Sequence, residues 1–459
     1  MNKKLEVYRP ANERVQDFNE VEKVLTQNEL LAQLQRCHNC GIPFCHGYGC
    51  PLGNLIPEFN LAVANNDLRL AWNLLSESSF FPEFTSRVCP ALCEGSCCCN
   101  IDGDAVTIRQ CEKMIIETAF ANNWVKPVVP NERNGKTVAI IGSGPSGLYA
   151  AENLNRKGYT VTVFEANHRP GGLLRYGIPD FKLEKHIIDR RIDLMERSGV
   201  SFVCDTVVGK DISASYLKRH YDHLILAIGT AQARDLAVPG RDLQGIYFAL
   251  DYLQGQNKVN CGELSKLPID AHGKDVLIIG GGDTGSDCAG TAVRQGAKSV
   301  TQIEIMPQPP EQRSLSTPWP QWPYILRTSS SHKEGCQRLW SLSTLRFIEK
   351  NGAVGGVEVC PVNWSCSKEG KPLRFEQDLH NSKIIKADIV LLALGFCGIK
   401  AAEILSQLNI DHNERKLLPY YNQLQVVAVG DCANGASLVV KAMADAQQKT
   451  NLYLERSKK

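Results

Sequence analysis

The 459-residue chain holds eighteen cysteines, and ten of them lie between Cys37 and Cys111. They fall into two groups. The first is Cys37, Cys40, Cys45 and Cys50, interleaved with glycines and Pro43; the second is Cys89, Cys93, Cys97, Cys98 and Cys99. Short spacings with Gly and Pro let a backbone wrap a metal centre, and thiolates are soft ligands that suit zinc or iron–sulfur clusters. Seven spaced cysteines leave a pair of tetrahedral zinc sites one ligand short. They match a pair of 4Fe–4S clusters if one ligand is not a cysteine. A disulfide scaffold is a poor reading, because such scaffolds are short and secreted.

A second kind of chemistry is written in glycine. Gly142-Ser-Gly144-Pro-Ser-Gly147 follows the apolar run Thr137 to Ile141 and precedes a helix-like stretch to Lys157. Glu165, at the end of the next apolar run (Thr160 to Phe164), lies 23 positions beyond Gly142. In a dinucleotide fingerprint the first glycine makes the tight turn and the second admits a pyrophosphate to the helix N-terminus. The third lets helix pack on strand, and the acid reaches a ribose. The pattern returns at Gly280-Gly-Gly282-Asp283-Thr284-Gly285, after Asp275 to Ile279, with Glu304 24 positions beyond Gly280 at the end of Ser299 to Glu304. Two such units in one chain can hold a flavin and a nicotinamide nucleotide side by side. Leu224 to Thr230, Leu391 to Gly395 and Val426 to Asp431 read as further strands ending at glycine. By composition alone each is a buried strand and a turn, but the set resembles two-dinucleotide flavoproteins. In that resemblance the first unit, N-terminal and answered by Gly430-Asp431, looks like the FAD site, and the second, set in as an insertion, looks like the NAD(P)H site. Cys288 stands alone in Asp287-Cys-Ala-Gly, which weakens a disulfide-reductase reading, since that chemistry needs a Cys-x-x-Cys. Cys288 reads as a small buried hydrophobe.

The positioning elements follow from periodicity. Glu20 to Gln35 and Ile56 to Leu75 carry apolar residues at helical spacing, so the first ~130 residues read as helical. Trp124 to Gly135, with two prolines and no period, reads as a linker. Hydrophobic residues make up 43% and charged residues 22%, which excludes disorder as the main state. The net charge of +2 gives no reason to expect nucleic-acid binding. No apolar run approaches the ~18 residues of a membrane span. The start, with Lys3 and Lys4 but no apolar stretch behind them, predicts no signal peptide and a cytoplasmic protein.

The runs RCHNCGIPFCHGYGCPLGNLIPEFN (Arg36 to Asn60), Phe81 to Glu94, Gly171 to Glu184, Gly280 to Ala297 and Gln308 to Pro323 together resemble the glutamate synthase small (β) subunit family. The resemblance covers nearly the whole chain. It extends to a wider group that includes the flavin half of dihydropyrimidine dehydrogenase and NADPH–ferredoxin oxidoreductases. It implies an α/β protein in which a helical iron–sulfur domain precedes two Rossmann-like domains. The implied boundaries are 1–134 for the cluster domain, 135–240 and 398–459 for the FAD domain, and 241–397 for an inserted NAD(P)H domain. It also implies two 4Fe–4S clusters with interleaved ligands: Cys37, Cys40, Cys45 and Cys97 on one, and Cys50, Cys89, Cys93 and Glu112 on the other. Cys98, Cys99 and Cys111 are then spare, and His46 is a neighbour and no ligand. FAD would be held by Gly142, Gly144, Pro145, Ser146, Gly147, Glu165, Gly172, Leu173, Gly430 and Asp431. NADPH or NADH would be held by Gly280, Gly282, Asp283, Thr284, Gly285 and Glu304.

Three departures stand out: four residues separate Cys45 from Cys50 where three are expected, Ser86 replaces a Gly, and Lys441 stands where an aromatic is common. Direct hydride transfer needs no acid–base group, so no residue is assigned as catalytic. The implied partner is a large (α) subunit that makes glutamate from glutamine and 2-oxoglutarate. Alternatives are another acceptor, such as a pyrimidine reductase subunit or a ferredoxin, and a non-catalytic electron-relay module. A carboxylate at Glu304 repels a 2′-phosphate, so NADH is expected to serve at least as well as NADPH. Arg313, as a loop residue, is expected to be solvated.

Overall fold

A computed structural model describes residues 7–367, 372–415, 417–418 and 425–456. The lysine-bearing start, on which the leader reading rests, lies outside the described residues. The N-terminal part is helical, with two breaks that periodicity did not reveal. The helix expected over Glu20 to Gln35 spans only Gln27–Leu34. Thr26 stops it with a capping box: its hydroxyl accepts the Glu29 N–H, and the Glu29 carboxylate accepts the Thr26 N–H at 3.0 Å. Upstream, Glu22–Lys23 pairs with Val7–Tyr8 as a short antiparallel ribbon. The Ile56 to Leu75 stretch is two helices, Ile56–Ala64 and Leu68–Ser78. Asn66 takes a left-handed φ of 60° between them, and Asp67 caps the second through the Leu70 N–H. With Ile108–Ala121 these helices close over Leu30, Phe59, Leu75 and Ile115, and Cys45, Cys93, Cys97 and Cys111 lie in the same core.

Two parallel five-stranded sheets follow. The first runs Val426–Ala428, His223–Leu226, Thr137–Ile141, Thr160–Phe164, Ser201–Val203. The second runs Cys336–Leu339, Ser299–Ile303, Asp275–Ile279, Ile389–Leu392, Ile246–Phe248. Their central strands, Thr137–Ile141 and Asp275–Ile279, are apolar after the first residue, as strands covered on both faces must be. In sequence, the whole second sheet lies between two strands of the first. A ribbon of Gln232–Ala233 with Phe396–Gly398 carries the chain out and back. This is the expected fold class, α/β with a helical N-terminal part and Rossmann-like sheets. Each expected strand ends before its glycine, since the glycine belongs to the turn.

An antiparallel sheet of Leu342–Lys350, Ala353–Cys366, Pro372–Gln377 and Lys383–Lys386 was not foreseen. Its signal was present. Asn351-Gly352, both at positive φ, joins Lys350 to its partner Ala353, and Asn-Gly is the preferred two-residue hairpin turn. Among the described residues, no helix is long and apolar enough to cross a membrane.

The parts are tied by buried ions. Glu334 accepts from Arg14 Nε at 2.5 Å and from Arg294 Nη1 at 2.6 Å, and Arg294 also stacks on the Phe181 ring at 4.0 Å. The side chains of Glu334 and Arg294 are both fully buried. Removing the shared carboxylate strands two guanidinium charges in the interior. Glu334→Ala is expected to cost about 3–5 kcal/mol. The check is the fall in the first urea midpoint of the purified chain.

Candidate redox centre

The glycines of the two fingerprints do different physical work, and they do it in the same order in both. Gly142 has φ +100°, and a Cβ there would stand 2.5 Å from the Ala227 carbonyl oxygen of the neighbouring strand. A Cβ on Gly147 would strike the Gly142 carbonyl. Gly144 has nothing within 4 Å of such a Cβ, directly before the helix Pro145–Arg156. In the second unit Gly280 (φ +120°) abuts the Ala393 carbonyl, and Gly285 is pressed between Gln302 and the Gly280 carbonyl. Gly282 is open, ahead of the helix Asp283–Arg294. The outer glycines are therefore demanded by the fold. The middle ones leave a space at a helix N-terminus, where backbone N–H groups favour an anion.

Around the first loop runs a groove of about 1890 Å³. It brings together Gly142, Gly144, Pro145, Ser146, Glu165, Gly172, Leu173 and Asp431. Gly430, just outside, touches Ser146: a Cβ there would meet its side chain. Asp431 accepts a bond from Ser437 Oγ at 2.7 Å, while burial pushes its carboxyl above the usual range. Glu165 is fully engaged by the protein. One oxygen accepts the Ser143 N–H and hydroxyl, and the other accepts the Asn167 backbone N–H at 2.8 Å and side-chain amide at 2.7 Å. All four lone-pair sites of a carboxylate are then used, and Glu165 braces the loop.

Glu304 differs. It accepts one bond per oxygen, from the Gly281 N–H at 2.6 Å and the Met306 N–H at 3.0 Å. It is only partly buried, so lone pairs remain for a ribose diol. Asp283 is exposed beside it and Thr284 partly so. Arg313 is not solvated as expected. It donates to the carbonyls of Thr317, Gln321 and Gly95, which ties its loop to the helical part. Cys288 is fully buried and no second cysteine flanks it.

The cysteines gather into two sets, and none forms a disulfide. Cys50, Cys89, Cys93 and Glu112 line one cavity. In the other set, burial pushes the Cys45 thiol up to about 12, with Cys97 and Cys37 adding to the rise. Burial pushes Cys50 up to about 12, with Glu112 next, and Cys89 up to about 11. Cys93 is also raised well above the ordinary thiol value, by burial first and by Glu112 second. Thiols that burial, and next the neighbouring charges, hold neutral ionise together only beside a cationic centre, which is what a metal centre supplies. Backbone N–H groups of Leu52 and Asn54 point at Cys50, and those of Ala91 and Leu92 at Cys89. Such bonds tune cluster potentials. Among the described residues no three His, Cys, Asp or Glu side chains converge on a single-ion site. A polynuclear centre, whose irons stand apart, does not require them to. The donor sets fit 4Fe–4S clusters better than zinc.

The extra residue between Cys45 and Cys50 is absorbed by a π-helical turn, Cys45–Gly49, closed by Cys50 N–H to the Cys45 carbonyl at 2.9 Å. Gly49 then lies so close to Cys93 that a Cβ would stand 2.7 Å from its Cα. Ser86 is buried, and its carbonyl accepts from Arg109 at 2.7 Å. Lys441 stays out of the groove, which Val439 and Ala442 line instead. The Cys98 thiol is hydrogen-bonded to Cys40 and the Cys99 thiol to Cys97, and Cys111 is fully buried. Sequence reasoning missed Asn54, which organises the second set. Its amide donates to Glu112 at 2.8 Å and accepts from Ser78 Oγ at 2.9 Å; its backbone carbonyl meets His46 Nδ1 at 2.9 Å. Burial pushes the Glu112 carboxyl up to about 7 against that bond. Asn60, whose amide points at the Cys37 sulfur at 3.7 Å, was also missed. An Asn between apolar residues beside a cysteine run is the only signal either carried.

The two sites nearly touch. Val439 and Ala442, in the first turn of the helix Val439–Arg456, line the groove of the first fingerprint, and Val440 lines the cavity of Cys50, Cys89, Cys93 and Glu112.

The glycine geometry separates two outcomes. Gly144→Val is expected to fold and keep its iron but to purify without FAD, because the side chain enters open space that a pyrophosphate needs. Gly142→Ala is expected to lose soluble protein, because its Cβ meets a backbone carbonyl at a left-handed φ. Flavin absorbance and soluble yield are the two measurements.

A family model described as dihydropyrimidine dehydrogenase domain II, 4Fe-4S cluster, matches residues 14–124, and one described as pyridine nucleotide-disulphide oxidoreductase matches residues 136–322. The glutamate synthase (NADPH) small chain of Mycobacterium tuberculosis is 44% identical over 97% of this chain and 92% of its own. That of Escherichia coli is 32% identical over 96% and 94%. The glutamate synthase (NADH) of Saccharomyces cerevisiae is 40% identical over 96% of this chain, which spans 21% of that longer protein. Among solved structures, FprA of Mycobacterium tuberculosis in complex with NADPH has a TM-score of 0.56 at 17% identity, over 70% of this chain and 84% of that one, a likeness of fold. With relatives at 44% and 32% identity over nearly its whole length, the chain belongs to the glutamate synthase small-chain family of iron–sulfur flavoprotein oxidoreductases.

Proposed function

We propose that this chain is the electron-input subunit of a glutamate synthase. It takes reducing equivalents from a nicotinamide nucleotide and delivers them to a large subunit that forms glutamate from glutamine and 2-oxoglutarate. Residues 1–134 form the cluster domain, 135–240 and 398–459 the FAD domain, and 241–397 the nicotinamide domain. When bound, flavin and clusters exchange two-electron for one-electron transfer. The chain's own residues bind and space them. Gly144 and Gly282 leave backbone open to the two pyrophosphates. Cys37, Cys40, Cys45 and Cys97 hold one cluster; Cys50, Cys89 and Cys93 hold the other with Glu112, which Asn54 orients.

The observation that carries this reading is the single helical turn between the flavin groove and the Cys50 cavity, with Val439 on one side and Val440 on the other. A redox-inert structural zinc gains nothing from that adjacency. The test combines the purified chain with a glutamate synthase large chain, glutamine, 2-oxoglutarate and NAD(P)H. Glutamate formation supports the reading. Dye reduction by the chain alone, with no glutamate formed in the mixture, assigns another acceptor.

Two predictions follow from the donor sets and from Glu304. The chain is expected to carry about eight irons with matching acid-labile sulfide, and Cys40→Ser to lose about four of them while keeping FAD. Stoichiometric zinc without sulfide would refute this. NADH is expected to serve at least as well as NADPH. In Glu304→Ala the NADH/NADPH ratio of kcat/KM should fall about tenfold, roughly 1.4 kcal/mol, as repulsion of the 2′-phosphate is lost. An unchanged ratio shows that Glu304 does not face the ribose.

A further inference from the structure

The segment from Met306 to Ser329 begins and ends at the second fingerprint. Its start is held by the Met306 N–H on the Glu304 carboxylate, and its end by Ser329 Oγ against Ser286 Oγ of the fingerprint helix at 2.6 Å. Between these points it has no helix or strand, and it crosses to the helical N-terminal part. There it lands on Gly95 to Cys97. Arg313 donates to the Gly95 carbonyl at 3.0 Å, and Ser96 Oγ donates to the Pro320 carbonyl at 2.8 Å. Trp319 Nε1 donates to the Cys97 carbonyl at 3.2 Å, and its ring packs on Phe44, the neighbour of Cys45, with centroids 4.7 Å apart. Trp322 closes on Gly95, where a Cβ would meet its ring at 2.8 Å. Arg313 stiffens the landing by also donating to the Thr317 and Gln321 carbonyls.

None of these contacts serves a nucleotide. They spend a large aromatic, and its one N–H, on the backbone of a cysteine in the Cys37, Cys40, Cys45 and Cys97 set. Fixing the Cys97 backbone fixes where its sulfur stands. An indole laid over Phe44 removes water from that side, and cluster potentials respond to solvent exposure and to groups beyond the ligands.

We propose that Trp319 is a positioning residue for the Cys37, Cys40, Cys45 and Cys97 centre, anchoring Cys97 and, with Phe44, excluding water from one face. The proposal rests on the reading of that set as a cluster site.

The test uses the full chain with its FAD, isolated without oxygen, as wild type, Trp319→Ala and Trp319→Phe. The readouts are the midpoint potential and paramagnetic spectrum of the centre, and the rate at which its visible absorbance bleaches in air. Trp319→Ala is expected to keep FAD, to shift the midpoint upward as water reaches the more negative reduced form, and to bleach several-fold faster. Trp319→Phe keeps a ring on Phe44 and loses only the N–H, so it is expected to fall between. Wild-type potential, spectrum and bleaching in Trp319→Ala overturn the proposal. If that variant purifies without the centre, wild-type behaviour of Trp319→Phe overturns it instead. Failure of the underlying reading shows separately, as unchanged iron in Cys40→Ser.

Discussion

One turn of helix decides how the molecule is arranged. Val439, Val440 and Ala442 stand between the groove of the first glycine loop and a cavity lined by three cysteines and a glutamate. Electron exchange needs its partners close, and the groove and the cavity need separate walls, so a thin apolar partition satisfies both. That partition belongs to the C-terminal helix, which packs along the first fingerprint helix. In the chain that helix follows Val426–Ala428, the strand that completes the first sheet after the second sheet has been inserted.

The same demand for fixed spacing accounts for the buried charges between the parts. Glu334 joins Arg14 of the N-terminal segment to Arg294 of the second fingerprint helix. Lys182 meets Asp287 on that helix. Glu117 of the helical part holds Arg87 and also Arg190 from beside the first sheet, and these guanidinium groups pull its carboxyl down to about 2. Buried pairs add little net stability, but they are intolerant of displacement, because a lost partner leaves a bare charge. They suit interfaces whose geometry must not drift.

The two glycine loops show how one motif is used twice with different endings. In both, the outer glycines yield to backbone carbonyls and the middle one faces open space. The acids part company. Glu165 spends every lone pair on Ser143 and Asn167, whereas Glu304 holds the Gly281 and Met306 N–H groups and keeps capacity in reserve. Spacing alone made them look equivalent. Their neighbours make one a brace and leave the other available.

Local pattern by itself determined the class of the molecule. Apolar runs ending in Gly142 and Gly280, and cysteines spaced by glycine and proline, need only short-range geometry to be read. The same holds for the Asn351-Gly352 hairpin, whose turn signal is local. The rest depended on residues far apart in sequence. The placing of Cys97 beside Cys45, the grip of Asn54 on Glu112, and the reach of Trp319 to the Cys97 carbonyl are all tertiary. So is the fate of Arg313, whose three carbonyl acceptors lie on two parts of the chain. A sequence states what a side chain can donate or accept. Only the folded chain decides which partners stand within bonding distance, and here that settled which polar groups brace the site and which remain free to bind.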